Sequence, residues 1–115
     1  MSPDEFREIA LSFNSAIESS HMNHPDFRAH GRIFATLSYP DASTGMVKLA
    51  LPDQQHFVAA HPQVFYPAQG AWGLQGSTMV RLAAAEPGLI AQALELAWKH
   101  SAQAAVPPSP KKSRR

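Results

Sequence analysis

The chain has 115 residues, no cysteine and a formal net charge of +1, and 17% of its residues are charged. This is the composition of one soluble domain with a modest core, and the lack of cysteine excludes disulfides, thiolate metal sites and a cysteine nucleophile. No apolar run approaches the ~20 residues of a membrane span, and the acidic start is unlike a secretory signal. We therefore expect a cytoplasmic protein with no membrane partner.

The charge is unevenly distributed along the chain. Residues 1–106 carry six Lys and Arg against nine Asp and Glu, whereas the last nine residues carry four cations and no acid. The end of the chain also has three prolines and no hydrophobic periodicity. We expect a folded domain at residues 1–104 and a disordered basic tail at residues 105–115. The cations of this tail are Lys111, Lys112, Arg114 and Arg115.

Helix signals occur at three places. Ser2-Pro3-Asp4-Glu5 matches a capping box, and apolar residues at helical spacing follow it. Proline also opens the other two segments, a position that helices favour. The predicted helices are Pro3 to about Glu18, Pro52 to about His61, and Pro87 to about Ala104, with a polar connection at Ser19–Asp26.

Five segments have the alternating or densely apolar pattern of strands. They are Phe27–Ala29, Ile33–Leu37, Met46–Leu51, Val64–Tyr66 and Ser77–Leu82. Turn-forming residues separate the first three, which predicts an antiparallel meander at the centre. The order α-β-β-β-α-β-β-α predicts an α+β, two-layer domain in which three helices cover a five-stranded antiparallel sheet.

Period-two alternation assigns the strand side chains to two faces. We expect the residues that face the helices to be Val47, Leu49, Leu51, Val80 and Leu82. The opposite face then holds Arg28, Met46, Lys48, Met79 and Arg81, joined by Phe34 and Thr36 if Ile33, Ala35 and Leu37 point inward. Cations beside methionines are typical either of a contact face or of the solvated face of a half-buried sheet.

Short matches then run collinearly along the chain. They are Pro-Asp-Phe-Arg (25–28), Gly-Arg-Ile-Phe-Ala-Thr-Leu (31–37), Val-Lys-Leu (47–49), Phe-Tyr-Pro (65–67), Gly-Ala-Trp-Gly (70–73) and Val-Arg-Leu (80–82). In order and spacing they resemble the MmcQ/YjbR family over about residues 3–100. The resemblance implies an α-β3-α-β2-α fold similar to secretion chaperones, and DNA binding through a double-wing motif.

The wings would correspond to about residues 38–45 and 67–76. Neither segment contains Lys or Arg, and the first contains Asp41. Ser77 occupies a position where many family members carry Trp. Since a wing that holds phosphates needs cations, nucleic-acid contact would have to come from the sheet face and the tail.

Other chemistry is weakly indicated. His21, His24 and His30 lie near Asp26, which is either a metal site or a polar loop with surface histidines; the spacing favours the loop, and we expect no metal or cofactor. Trp72 either stacks on a base or ligand, or packs on the core edge, which we favour. No HExxH, GxSxG or phosphate-loop motif and no nucleophile constellation is present, so we expect no enzyme.

We therefore expect a non-enzymatic binding domain that binds nucleic acid weakly through the sheet face, Trp72 and the tail. The residues expected to contact nucleic acid are Arg28, Arg32, Lys48, Trp72, Arg81, Lys111, Lys112, Arg114 and Arg115. The alternative is a protein-interaction or chaperone-like module that dimerises through the sheet face or the third helix.

Overall fold

The computed structural model describes residues 1–105, so the predicted basic tail lies outside the described residues except for Ala105, which ends the last helix. These residues form six strands and four α-helices, with a short 3-10 helix at Leu82–Ala84. The elements are α1 (Pro3–Leu11), β1 (Ile17–His21), β2 (His24–Ala29), β3 (Arg32–Leu37), β4 (Thr44–Lys48), α2 (Leu51–Ala60), β5 (Phe65–Pro67), α3 (Gly70–Leu74), β6 (Ser77–Arg81) and α4 (Pro87–Ala105).

The strands form one antiparallel sheet in the order β1-β2-β3-β4-β6-β5. Helix α4 crosses β2, β3 and β4, and α1 packs on α4, whereas α2 and α3 contact β5 and β6. The predicted α+β class is confirmed, but the prediction was one strand and one helix short. Within residues 1–105, no helix combines the length and the hydropathy needed to cross a bilayer.

The missing strand is β1, which was predicted as the end of the first helix and a polar connection. Helix α1 keeps the predicted capping box but ends at Leu11. Phe13 leaves the helical stripe and stacks on Trp98 of α4, with ring centroids 5.7 Å apart. Met22 and Asn23 then adopt positive φ in a two-residue turn, so β1 pairs with β2 as a hairpin. Every residue of β1 is exposed, which is why no apolar alternation marked it.

The missing helix is α3, which lies inside residues 67–76, the segment that corresponds to the second wing. Its close packing requires glycine at two positions, because a Cβ at Gly73 would lie 1.9 Å from the Ala68 carbonyl oxygen and one at Gly76 1.9 Å from that of Leu49. Gly76 also has a φ of +106°, which favours glycine. The buried Gln54 side chain donates to the Gly73 carbonyl at 3.0 Å and ties α2 to this segment.

The assignment of faces is largely correct. Val47, Leu49, Val80 and Leu82 are buried in the core as predicted. Leu51 is not, because β4 ends at Lys48 and Leu51 opens α2, where it is 44% exposed.

Phe34 was placed conditionally on the outer face and is instead fully buried. A bulge between β2 and β3 pairs Phe27 with Ala35 but Arg28 with Ile33, so Phe34 has no partner in the register. The extra residue turns its ring toward the helices, where it meets Phe13 edge-to-face.

Candidate anion-binding site

Four of the six Lys and Arg residues in the described chain have an acidic or aromatic partner, and three of these four lie outside the candidate site. Arg7 contacts Asp4 at 2.7 Å and Glu18 at 3.0 Å, and Lys99 contacts Glu95 at 3.2 Å. The Arg81 guanidinium lies 4.2 Å from the ring centroid of Tyr66, and its Nη1 donates to the Pro62 carbonyl at 3.2 Å. These three side chains are therefore engaged by their own neighbours.

The other three cations meet at one cavity of about 430 Å³, which we call the cationic pocket. None of the residues that line it is acidic. Its lining residues are Arg28, Gly31, Arg32, Ile33, Lys48, Ala97, His100 and Ser101. The pocket therefore concentrates positive charge on a domain whose described residues are acidic overall.

The β2–β3 hairpin supplies one side of the cationic pocket. His30 and Gly31 both have positive φ, at 57° and 75°, which is the two-residue turn that matches the twist of an antiparallel pair. Arg32 follows the turn at the start of β3, and Arg28 lies near the end of β2. Lys48 is the last residue of β4, on the far side of β3. The hairpin thus brings Arg28 and Arg32 together, and the pairing of β3 with β4 adds Lys48 from farther along the sequence.

Arg28 is held in place by a buried carboxylate. Asp26 is inaccessible to solvent and accepts hydrogen bonds from Arg28 Nε at 2.7 Å and from His21 Nδ1 at 2.7 Å. The Arg28 hydrogen bond holds the pKa of Asp26 below its usual value, His21 acts in the same direction, and burial opposes them. Asp26 in turn raises the pKa of Arg28. Arg28 is therefore oriented and partly neutralised, while its side chain stays 39% exposed.

The two remaining cations have no such partner. In residues 1–105, neither Arg32 nor Lys48 forms an ion pair. Arg32 is exposed and Lys48 is half-buried. Once Asp26 has offset Arg28, these two side chains give the cationic pocket its uncompensated positive charge.

Helix α4 supplies the opposite side of the cationic pocket. Ser101 Oγ donates to the Trp98 carbonyl at 2.6 Å and accepts from His30 Nδ1 at 3.0 Å, which joins the helix to the hairpin turn. Helix α4, the helical wall of the pocket, is thus joined to the hairpin turn. One of its polar side-chain atoms, the buried Nδ1 of His100, has no hydrogen-bond partner in the described residues.

Two other predicted contact residues lie elsewhere. Arg81 pairs with Thr44, four residues along β4 from Lys48, which is about 13 Å at the rise of a strand. Trp72 lies on α3 and is 70% exposed. The interpretation that Trp72 packs on the core edge is wrong, because α3 presents it to solvent. The cations of the tail lie outside the described residues.

A second concave surface lies beside α3, and we call it the uncharged groove. Its volume is about 450 Å³, and none of its lining residues carries a charge. It is lined by Leu51, Gln54, Gln55, Pro67, Ala68, Gly70, Gly73 and Leu74. The exposed side chains of Trp72 and Leu74 stand at this end of the molecule.

The segments that correspond to the wings provide no cation. Residues 38–43 form the loop between β3 and β4, in which Asp41 Oδ1 accepts from the Ser43 hydroxyl at 2.6 Å and the Thr44 hydroxyl at 3.0 Å. These bonds, led by the one from Ser43, lower the pKa of Asp41. The loop therefore presents an ionised carboxylate, and the second segment contains α3.

The three predicted histidines do not converge. His21 bonds Asp26, His24 packs edge-to-face on Tyr39, and His30 bonds Ser101. No cluster of three His, Asp or Glu side chains suited to a metal occurs in residues 1–105.

Sequence reasoning found the strand cations of the site but missed its helical wall. Residues of α4 at positions 97, 100 and 101 line the cationic pocket. Their spacing of three and four marks one helical face. That spacing was visible in the sequence, but the packing of this face against the β2–β3 hairpin was not.

Comparison with known proteins gives the fold alone. No family model matches the chain, and no curated protein matches it. The fold is similar to the crystal structure of Deinococcus radiodurans protein DR2400, whose family-model domain is DUF419, with a TM-score of 0.71 and 15% sequence identity. The match covers 84% of this chain and 75% of that chain. DUF419 is related to MmcQ/YjbR-type folds.

Proposed function

We propose that this chain is a cytoplasmic, non-enzymatic nucleic-acid-binding domain of the MmcQ/YjbR type, which holds nucleic-acid phosphates at the cationic pocket. One observation carries the proposal: the two Lys and Arg side chains of residues 1–105 that are held by neither an acidic nor an aromatic partner both line the same cavity, and no acid lines it. The DUF419 fold supports the family, and the collinear sequence matches support it independently.

The charge balance sets the strength of binding. Residues 1–105 carry nine acids against six Lys and Arg, so long-range attraction to a polyanion is weak. Two phosphate contacts at the pocket give a log–log salt slope of about −1.8 on duplex DNA, and the four tail cations add up to about −3.6. Affinity measured at low salt therefore reflects the tail more than the pocket.

The test measures anisotropy of a labelled oligonucleotide across a salt series. Replacing Arg32 and Lys48 by alanine should weaken binding and make the slope shallower by about 1.8. The matched control removes Arg7 and Lys99, which changes net charge equally but leaves the pocket intact. An equal loss of affinity in both variants would show that only net charge matters. Unchanged affinity in the pocket variant would overturn the proposal.

A tail deletion separates the two contributions. Removing Pro107–Arg115 should abolish most of the affinity at low salt, because four of the ten Lys and Arg residues are lost. The remaining affinity should still fall when Arg32 and Lys48 are replaced. A truncated chain that binds but ignores the pocket substitutions would contradict the assignment of the site.

The second candidate function is a protein-interaction module that self-associates. The exposed Leu51, Trp72 and Leu74 near the uncharged groove favour it. This surface lies at α2 and α3 rather than at the sheet face or the last helix. Light scattering of the full chain and of a W72A/L74A variant tests it: a dimer that dissociates in the variant supports self-association, and a monomer in both excludes it.

A further inference from the structure

We infer that the cationic pocket is a phosphomonoester site, which takes a terminal phosphate group in preference to an internal phosphodiester. The inference rests on the proposed function for the identity of the site and names the group that the site holds. The group can be the phosphorylated end of a nucleic-acid strand or the phosphate of a free nucleotide, since the chemistry is shared.

Shape is the first argument. The cationic pocket is a cavity of about 430 Å³ between the β2–β3 hairpin, the end of β4 and α4. This volume lies in the range of small-ligand sites, about 300–1,000 Å³. An internal phosphodiester must leave such a cavity along two ester bonds, whereas a monoester has one and can enter by its free end. The concave form therefore favours a terminal group.

Charge is the second argument. A phosphomonoester carries about −1.5 to −2 near neutral pH, whereas an internal diester carries a single negative charge. The two uncompensated cations, Arg32 and Lys48, match the higher charge. Arg28 adds an oriented guanidinium whose Nε and Nη2 are bonded to Asp26, at 2.7 and 3.2 Å, while its Nη1 has no partner in residues 1–105.

Hydrogen-bonding capacity is the third argument. A monoester presents three strong acceptor oxygens. The cationic pocket offers donors from Arg28, Arg32 and Lys48. Three cationic side chains can thus donate charge-assisted hydrogen bonds to the three oxygens of one monoester.

The test uses the full chain and two single-stranded oligonucleotides labelled at the 3′ end. They have the same sequence and differ only in a 5′-phosphate or a 5′-hydroxyl, so the tail contacts both equally. We expect the 5′-phosphate form to bind about tenfold more tightly, as one added set of charge-assisted bonds predicts. The R32A/K48A variant should lose this preference, and the R7A/K99A control should keep it. A nucleoside monophosphate should displace the 5′-phosphate oligonucleotide from the protein.

The outcomes distinguish this inference from the proposed function. Equal binding of both oligonucleotides, weakened alike by R32A/K48A, overturns the phosphomonoester site and leaves nucleic-acid binding intact. Binding of the nucleotide alone, lost in R32A/K48A, supports the site and overturns the nucleic-acid proposal. Binding of neither oligonucleotide nor nucleotide overturns both. Circular dichroism confirms that each variant is folded.

Discussion

Two concave surfaces of the described residues have similar volumes and different chemistry. The cationic pocket, about 430 Å³, is formed by cations at strand ends and by α4. The uncharged groove, about 450 Å³, is formed where α3 packs closely against the neighbouring backbone. The groove includes part of the segment that corresponds to a wing, yet the unpaired cations lie at the pocket. A resemblance that predicts a fold therefore does not by itself specify a binding surface, which depends on individual side chains.

Residues that line the two surfaces are close in sequence at the end of β4, where Lys48 lines the cationic pocket and Leu51 lines the uncharged groove. The residue after Lys48, Leu49, is fully buried beneath Gly76 of the groove side. Replacing Leu49 by alanine should lower the free energy of unfolding by about 2–5 kcal/mol, because a buried cavity is left. Lys48→Ala is the matched control, with a change within about 0.5 kcal/mol. Urea titration measures the free energy of unfolding of both variants. A decrease below ~1 kcal/mol for Leu49→Ala would show that Leu49 does not face the core.

Close backbone packing should matter at the groove but not at the pocket. Gly76 and Gly31 both have positive φ, so alanine is strained at either position, but only at Gly76 would the Cβ strike backbone. Gly76→Ala should therefore destabilise the protein by about 1–3 kcal/mol more than Gly31→Ala, which has open space around it. Denaturant titration of the two variants gives this difference. Equal losses would show that the backbone around Gly76 and Leu49 moves apart at little cost.

The buried carboxylate should make the pocket side sensitive to acid. The pKa of Asp26 is lower in the folded chain than in the unfolded one, so its contribution to stability is present above about pH 3.9 and is lost as pH falls through the folded pKa. Asp26→Asn should lose about 1–3 kcal/mol at neutral pH, since charged hydrogen bonds to Arg28 and His21 are weakened.

The comparison between wild type and Asp26→Asn across pH isolates this group. The stability difference between the two should shrink below about pH 4. A difference that stays constant down to pH 2 would show that the carboxylate ionises identically in both states, contrary to the hydrogen bonds observed.

The smallest effect is expected at the exposed tryptophan. Trp72 is 70% exposed, so Trp72→Ala should change stability by no more than about 0.5 kcal/mol. Trp72 is not among the residues that line the cationic pocket, which also predicts unchanged affinity for oligonucleotides. A loss of tenfold or more by anisotropy would instead support base stacking at α3, and the contrast between the two surfaces would fail.

The sequence predicted the centre of the sheet better than its edge. The alternation of Val47 and Leu49 identified the core face because one side of that strand is apolar. Strand β1 has five exposed residues and a Met22-Asn23 turn without glycine, so only pairing with β2 identifies it. The burial of Phe34 was not predicted, because a bulge locally changes the two-residue alternation of side chains.

The candidate site was predicted in part, for a similar reason. Arg28 and Lys48 share a face by simple alternation, and Arg32 was a named candidate. The hydrogen bond from Arg28 to the buried Asp26 and the position of His100 beside the pocket both depend on tertiary packing. Local pattern specifies which residues face outward, but not which distant residues join them.

Chemical-shift mapping tests the central claim most directly. The full chain, labelled with ¹⁵N, would be titrated with the 5′-phosphorylated oligonucleotide, and amide shifts would be followed residue by residue. Binding at the cationic pocket predicts the largest changes at residues 28–33, 48 and 97–101. Changes confined to residues 38–45 and 70–76 would place the ligand on the segments that correspond to the wings and contradict the account.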